Sequence, residues 1–212
     1  EEKDVYAIVT HACKQKKYQS VVGVGVCYSG LILSKAAALH PHLFTKLILD
    51  GCWFSLRDAV EILVKDPGML ARPQSHSKLH NSWPVKERWF QRSLMWLAQQ
   101  IFNIEFNTVA ALDYMPLLRE NMPILFIHGK DDLLIPREQF EILFHATNCR
   151  QKAALITSNP HVRNYIKDKE VYKEVVETFI NTSFEQFSHF MVTPEAFIDY
   201  KKARLHALAS GK

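Results

Sequence analysis

The chain has 212 residues, 48% of them hydrophobic, enough to bury a substantial single core. Its net charge of +4 is mild, and its one dense basic run, Lys14-Gln15-Lys16-Lys17, lacks the interleaved stacking aromatics that nucleic-acid binding requires. No apolar run is long enough to span a membrane, the N-terminus is not signal-like, and four scattered cysteines without metal-type pairing fit free thiols in a reducing, cytoplasmic compartment.

The first predicted element is an amphipathic helix, with Val5, Ile8, Val9, Ala12 and Cys13 on its apolar face. An apolar, β-branched stretch over residues 21–26 then stops at a small-rich turn, and a helical pattern follows through Leu31, Ile32, Leu33, Ala36, Ala37 and Ala38. His40 and His42 close that helix without supporting cysteines or carboxylates, so no metal is expected there. A buried strand feeding a helix through a tight turn is the setting of the nucleophile elbow, usually written Gly-x-Ser-x-Gly. Here the frame reads Gly25-Val26-Cys27-Tyr28-Ser29, followed by Gly30, with Cys27 in the central place. The elbow strains its central residue and brings strand and helix together, so the positions two before and two after it must be small. Gly25 and Ser29 meet that demand. Centring the frame on Ser29 would put branched Leu31 at the second small position, and Cys27 fits better. A thiol at a helix N-terminus with a histidine partner is an activated nucleophile.

The next strand is predicted at Lys46–Asp50, ahead of Gly51-Cys52-Trp53-Phe54. About seventy residues then separate it from the following strand, too many for an ordinary connection and indicative of an insertion. Within it, residues 54–69 read as a helix broken by Pro67-Gly68. Residues 72–83 are polar and turn-rich, and Pro84 opens a helix to about residue 104 carrying Trp89, Phe90, Leu94, Trp96, Leu97 and Phe102.

Residues 122–128 form a continuous apolar run of the buried-parallel type and end in Gly129-Lys130-Asp131-Asp132-Leu133-Leu134-Ile135-Pro136. This places a carboxylate in a loop at the sheet edge; Asp132 has the better offset, with Asp131 the fallback and turn-forming residue. A further strand at Lys152–Thr157 leads to His161 in a strand-to-helix loop. Val171, Val175, Val176, Phe179 and Ile180 then mark an amphipathic helix. Asp50 at its strand end is an alternate acid, and His189, beyond that helix, an alternate base. A last helix is predicted from Thr193-Pro194-Glu195, with Ala196, Phe197, Tyr200, Ala203 and Ala207 able to pack on the body or on a partner.

The elbow, the PILFIHGKDDLLIP segment (residues 123–136) and the ITSNPHVRNY segment (residues 156–165) occur in the order nucleophile, acid, histidine. Together they resemble the α/β-hydrolase superfamily, over roughly residues 4–182. The resemblance implies an α/β fold, mainly a parallel sheet flanked by helices, with Cys27 as nucleophile, His161 as base and Asp132 as its orienting acid. The backbone N–H of Tyr28 would form half of the oxyanion hole. A cysteine at the elbow resembles the dienelactone hydrolase branch. The implied activity is hydrolysis of an ester, thioester or lactone with an apolar acyl part, with no cofactor. The alternative is a catalytically inactive member of the fold used for ligand binding or protein interaction. Residues 1–54 and 107–182 would form the core, 55–106 a helical cap and 183–212 a helical extension, with cap or extension available to a protein partner. Only 26 residues precede Cys27, too few for the fold's first strands and the loop giving the second oxyanion donor, so removal of an N-terminal segment is expected, with natural truncation as the alternative.

Overall fold

The computed structural model describes residues 1–16, 18, 20–65, 93, 96–97, 99–101, 110–181 and 191–192. Helix α1 (Glu2–Lys16) precedes strand β1 (Val22–Val26), helix α2 (Tyr28–Leu39), strand β2 (Lys46–Asp50) and helix α3 (Leu56–Lys65). Two 3-10 turns, Ala111–Asp113 and Met115–Leu117, lead into strand β3 (Ile124–Gly129), helix α4 (Arg137–Ala146) and strand β4 (Lys152–Thr157). The short helix α5 (Asn164–Lys167), helix α6 (Lys169–Asn181) and a strand of two residues, β5 (Met191–Val192), complete the described chain.

The strands form one sheet in the order β1-β2-β3-β4-β5, every neighbouring pair parallel. Parallel strands need helical crossovers, and crossovers cover both faces of a sheet. Successive side chains of a strand point to opposite faces, so both sets must then be apolar. Leu47 and Leu49 of β2, Ile124 and Phe126 of β3, and Ala154 and Ile156 of β4 face a cluster shared with Leu31, Ala36, Phe140 and Phe144. Their alternates Ile48, Leu125, Ile127, Ala153 and Leu155 face a second cluster completed by Val175 and Phe179 of α6. This is why β2 to β4 read as unbroken apolar runs. Phe179 is 1% exposed, and Phe179→Ala would cost about 3–5 kcal/mol through the cavity left behind. The Lys46 ammonium fastens α6 by donating to the carbonyls of Phe179 (2.7 Å) and Ile180 (2.9 Å) at the negative end of the helix.

Strand β1 is the outer strand of the described sheet, and Val24 and Val26 stand exposed on it. The far side extends beyond the expected core, because Met191–Val192 pair with Ala154 and Leu155. The long segment after β2 leaves and returns at one place: Ser55 and Ala110 form an antiparallel bridge, and the Ala111 N–H donates to the Phe54 carbonyl at 2.9 Å. Of the expected aromatic stripe, Trp96 and Leu97 are exposed, while Trp89, Phe90, Leu94 and Phe102 lie outside the described residues. The helix expected from Thr193 and the alternate base His189 also lie outside them. Among the described residues no helix is long and apolar enough to cross a membrane.

Candidate active site

Because the strands run parallel, the loops leaving β1, β3 and β4 emerge at one edge of the sheet. Cys27 sits alone between β1 and α2 with φ 59° and ψ −127°, a left-handed φ that an L-residue adopts only when its surroundings enforce it. Three contacts enforce it. The Cys27 N–H donates to the Asp50 carbonyl at 2.8 Å, which continues the β1–β2 ladder past the last strand residue. Ser29 Oγ closes the turn, accepting from the Val26 N–H (2.8 Å) and donating to the Val26 carbonyl (2.7 Å). Finally, Gly25 lies against Gly30: a Cβ on Gly25 would stand 2.6 Å from the Gly30 Cα and 2.8 Å from its nitrogen.

The tightest approach of strand and helix is therefore at Gly30, not at Ser29, whose hydroxyl is spent on the turn. Tyr28 opens α2, so its N–H precedes the first intrahelical acceptor and is left for another partner.

Asp132 is 4% exposed, and its two oxygens have separate partners. Oδ1 accepts from the N–H groups of Leu134 (3.0 Å) and Ile135 (2.8 Å), fixing the carboxylate plane. Oδ2 lies 2.7 Å from His161 Nδ1. Asp131 is exposed in the same turn. His161 Nε2 lies 3.2 Å from Cys27 Sγ, so one imidazole bridges thiol and carboxylate. Burial by itself pulls the His161 imidazole down; the hydrogen bonds to Asp132 and Cys27 outweigh it and hold the ring up at about 9.

The loop carrying His161 is tightly specified. Val162 has φ 48°, an unfavourable conformation for a β-branched residue, and the Arg163 N–H donates to the Pro160 carbonyl at 3.1 Å. A Cβ on Gly129 would fall 1.9 Å from the Asn159 carbonyl oxygen, so only glycine lets the acid loop and the histidine loop pack this closely. Gly51, at φ +57°, backs the imidazole: a Cβ there would stand 3.2 Å from His161 Cε1.

The remaining candidates sit elsewhere. Asp50 is buried and accepts from Asn164 Nδ2 at 2.7 Å and from the Tyr172 hydroxyl, not from the imidazole. Cys52 packs beneath Gly30, and Cys149 is also buried; burial pushes both thiols up to about 12, where they stay protonated and inert. His128 is buried and stacks on Phe140, ring centroids 4.7 Å apart. Sequence reasoning missed Gly51 and Asn164. A glycine directly after a buried strand was a usable sign for the first; nothing marked the second.

A parallel, helix-flanked sheet with a strained residue at the turn from β1 into α2, and with acid and histidine loops beside it, is the α/β-hydrolase fold. Neither a protein-family model nor a curated protein matches the chain. Solved structures do. An esterase from Pyrococcus furiosus superposes with a TM-score of 0.56 at 16% identity, covering 84% of this chain and 60% of its own. An enol-lactonase from Burkholderia xenovorans gives 0.52 at 15% identity, covering 85% and 73%. An acylaminoacyl peptidase from Pyrococcus horikoshii gives 0.58 at 13% identity, covering 89% and 28%. This chain thus spans about three fifths of the length of the Pyrococcus furiosus esterase and under a third of the peptidase.

Proposed function

We propose that this chain carries the acyl-transfer site of a hydrolase that cleaves an ester, thioester or lactone with an apolar acyl part. The observation that carries the reading is the single imidazole at 3.2 Å from Cys27 Sγ and 2.7 Å from Asp132 Oδ2. In the proposed sequence, the sulfur attacks the substrate carbonyl while its proton resides on His161 Nε2, and the C–S bond forms as the carbonyl π pair moves onto oxygen. The Tyr28 N–H donates to that oxyanion at the positive end of α2. Collapse expels the leaving group, which takes the proton from Nε2. Water, deprotonated by His161, then cleaves the thioester and returns the thiol. Asp132 holds Nδ1–H and fixes the tautomer throughout.

The apolar acyl preference is supported by the Tyr28 and Trp53 rings, which pack edge to face 5.3 Å apart beside the elbow. Solved neighbours that are an esterase and an enol-lactonase fit the same bond class. Most of residues 55–106, expected to form a cap, lie outside the described residues; the ends of the longer excursion meet at the Ser55–Ala110 bridge. No cofactor is invoked, and a reducing, cytoplasmic compartment suits a site that depends on a free thiol.

A panel of 4-nitrophenyl esters and aryl thioesters, assayed with the wild type and Cys27→Ala, tests this. Turnover lost in Cys27→Ala supports the mechanism, and equal turnover by both proteins removes Cys27 from it. Silence from both favours the alternative, a binding module built on the same fold.

A further inference from the structure

Position 50 poses a chemical question. Leu47, Ile48 and Leu49 satisfy the sheet with apolar side chains, yet the next residue is a carboxylate at 3% exposure. A leucine there would fill the core at no desolvation penalty, so the acid must answer a need other than packing. Its surroundings show which. The main-chain carbonyl of Asp50 receives the Cys27 N–H at 2.8 Å, and its side-chain Oδ1 receives Asn164 Nδ2 at 2.7 Å. Asn164 Oδ1 in turn accepts the Thr157 hydroxyl, and Thr157 Oγ1 accepts the Asn159 N–H at 3.3 Å. Asn159 lies two residues before His161, and its own Nδ2 is tied to Asp168 at 2.6 Å. Asp50, Thr157, Asn159 and Asn164 are all buried, so no water competes for these bonds.

An unbroken chain of hydrogen bonds therefore starts at the amide of Cys27 and ends in the loop that bears His161. It runs behind the 3.2 Å thiol–imidazole contact without touching either reacting atom. We propose that Asp50 and Asn164 are positioning residues, a buried clamp that sets the separation of Cys27 and His161. The proposal rests on the catalytic reading of those two residues. Both loops that the clamp joins are strained, since Cys27 and Val162 hold positive φ. Tyr172, whose hydroxyl also donates to Asp50, ties the clamp to α6.

The test uses the full chain, 4-nitrophenyl acetate as substrate, and iodoacetamide as a probe of Cys27, mapped by peptide mass. Variants are Asn164→Ala, Asn164→Asp, Tyr172→Phe and the exchange Asp50→Asn with Asn164→Asp. The exchange keeps every bond of the chain and reverses donor and acceptor only between positions 50 and 164. We expect folded Asn164→Ala to lose roughly 10- to 100-fold in kcat with KM held within about threefold, the scale of a misplaced reacting group. Cys27 alkylation should slow in parallel. Asn164→Asp alone sets two buried carboxylates together and should be worse; the exchange should recover most of the lost kcat, which keeps the test decisive if the alanine variant does not fold. Tyr172→Phe should fall between wild type and Asn164→Ala. A folded Asn164→Ala with wild-type kcat, or an exchange as impaired as Asn164→Asp, would overturn the clamp while leaving the catalytic reading intact. Wild-type Cys27 that alkylates no faster than N-acetylcysteine would overturn both.

Discussion

The imidazole of His161 ties the stability of this fold to pH, and the sign follows from its partners. In the unfolded chain the group has its ordinary value of 6.5; in the folded protein the bonds to Asp132 and Cys27 overcome burial and hold it at about 9. A group whose folded value is raised stabilises the native state fully below its unfolded value, and that stabilisation fades as pH rises through the folded value. The difference corresponds to on the order of 3 kcal/mol near pH 6, and most of it is gone by about pH 9. With a total stability of about 5–15 kcal/mol typical of such domains, the effect should be plain in urea titrations followed by tryptophan fluorescence. Other groups titrate over the same range, so the informative quantity is the wild type minus His161→Gln. That difference should shrink by about 3 kcal/mol between pH 6 and 9. Parallel pH profiles for the two proteins would show that His161 is not held as its hydrogen bonds indicate.

Replacing Asp132 by Asn removes the acceptor that fixes the Nδ1–H tautomer, and kcat should drop by about 10³- to 10⁴-fold in steady-state ester assays. Near-normal turnover would mean that another carboxylate serves the imidazole, which the Asn164 and Tyr172 bonds of Asp50 argue against. Gly25→Ala puts a methyl against the Gly30 backbone and should lower stability by about 1–3 kcal/mol in thermal melts, with ester turnover falling further as the elbow shifts. Gly23→Ala, which meets only side-chain ends of Leu47 and Phe44, should be the milder of the two.

Much of the architecture could be read from local pattern. The strands at Lys46–Asp50 and Lys152–Thr157 were expected with the boundaries they have, because strands buried on both faces leave continuous apolar runs that no loop imitates. The elbow was legible because its geometry restricts residue size within a few positions of Cys27. Its detail was less so: the small residue that meets Gly25 is Gly30, since the first turn of α2 swings that position, not Ser29, over the strand. The fifth strand was unreadable, for two residues of pairing leave no periodicity.

By itself, then, the order of residues settled what is local: which segments are strand or helix, where the chain must turn sharply, and which thiol, carboxylate and imidazole stand at strand ends. Only the tertiary structure decided what depends on distance. It divided two neighbouring acids into an exposed Asp131 and a buried Asp132, assigned Asp50 to Asn164 instead of to the imidazole, and set Gly51 behind the ring. Hydrogen bonds of this kind join residues more than a hundred positions apart. Their partners are selected by sheet register and loop packing, which no short window of sequence contains.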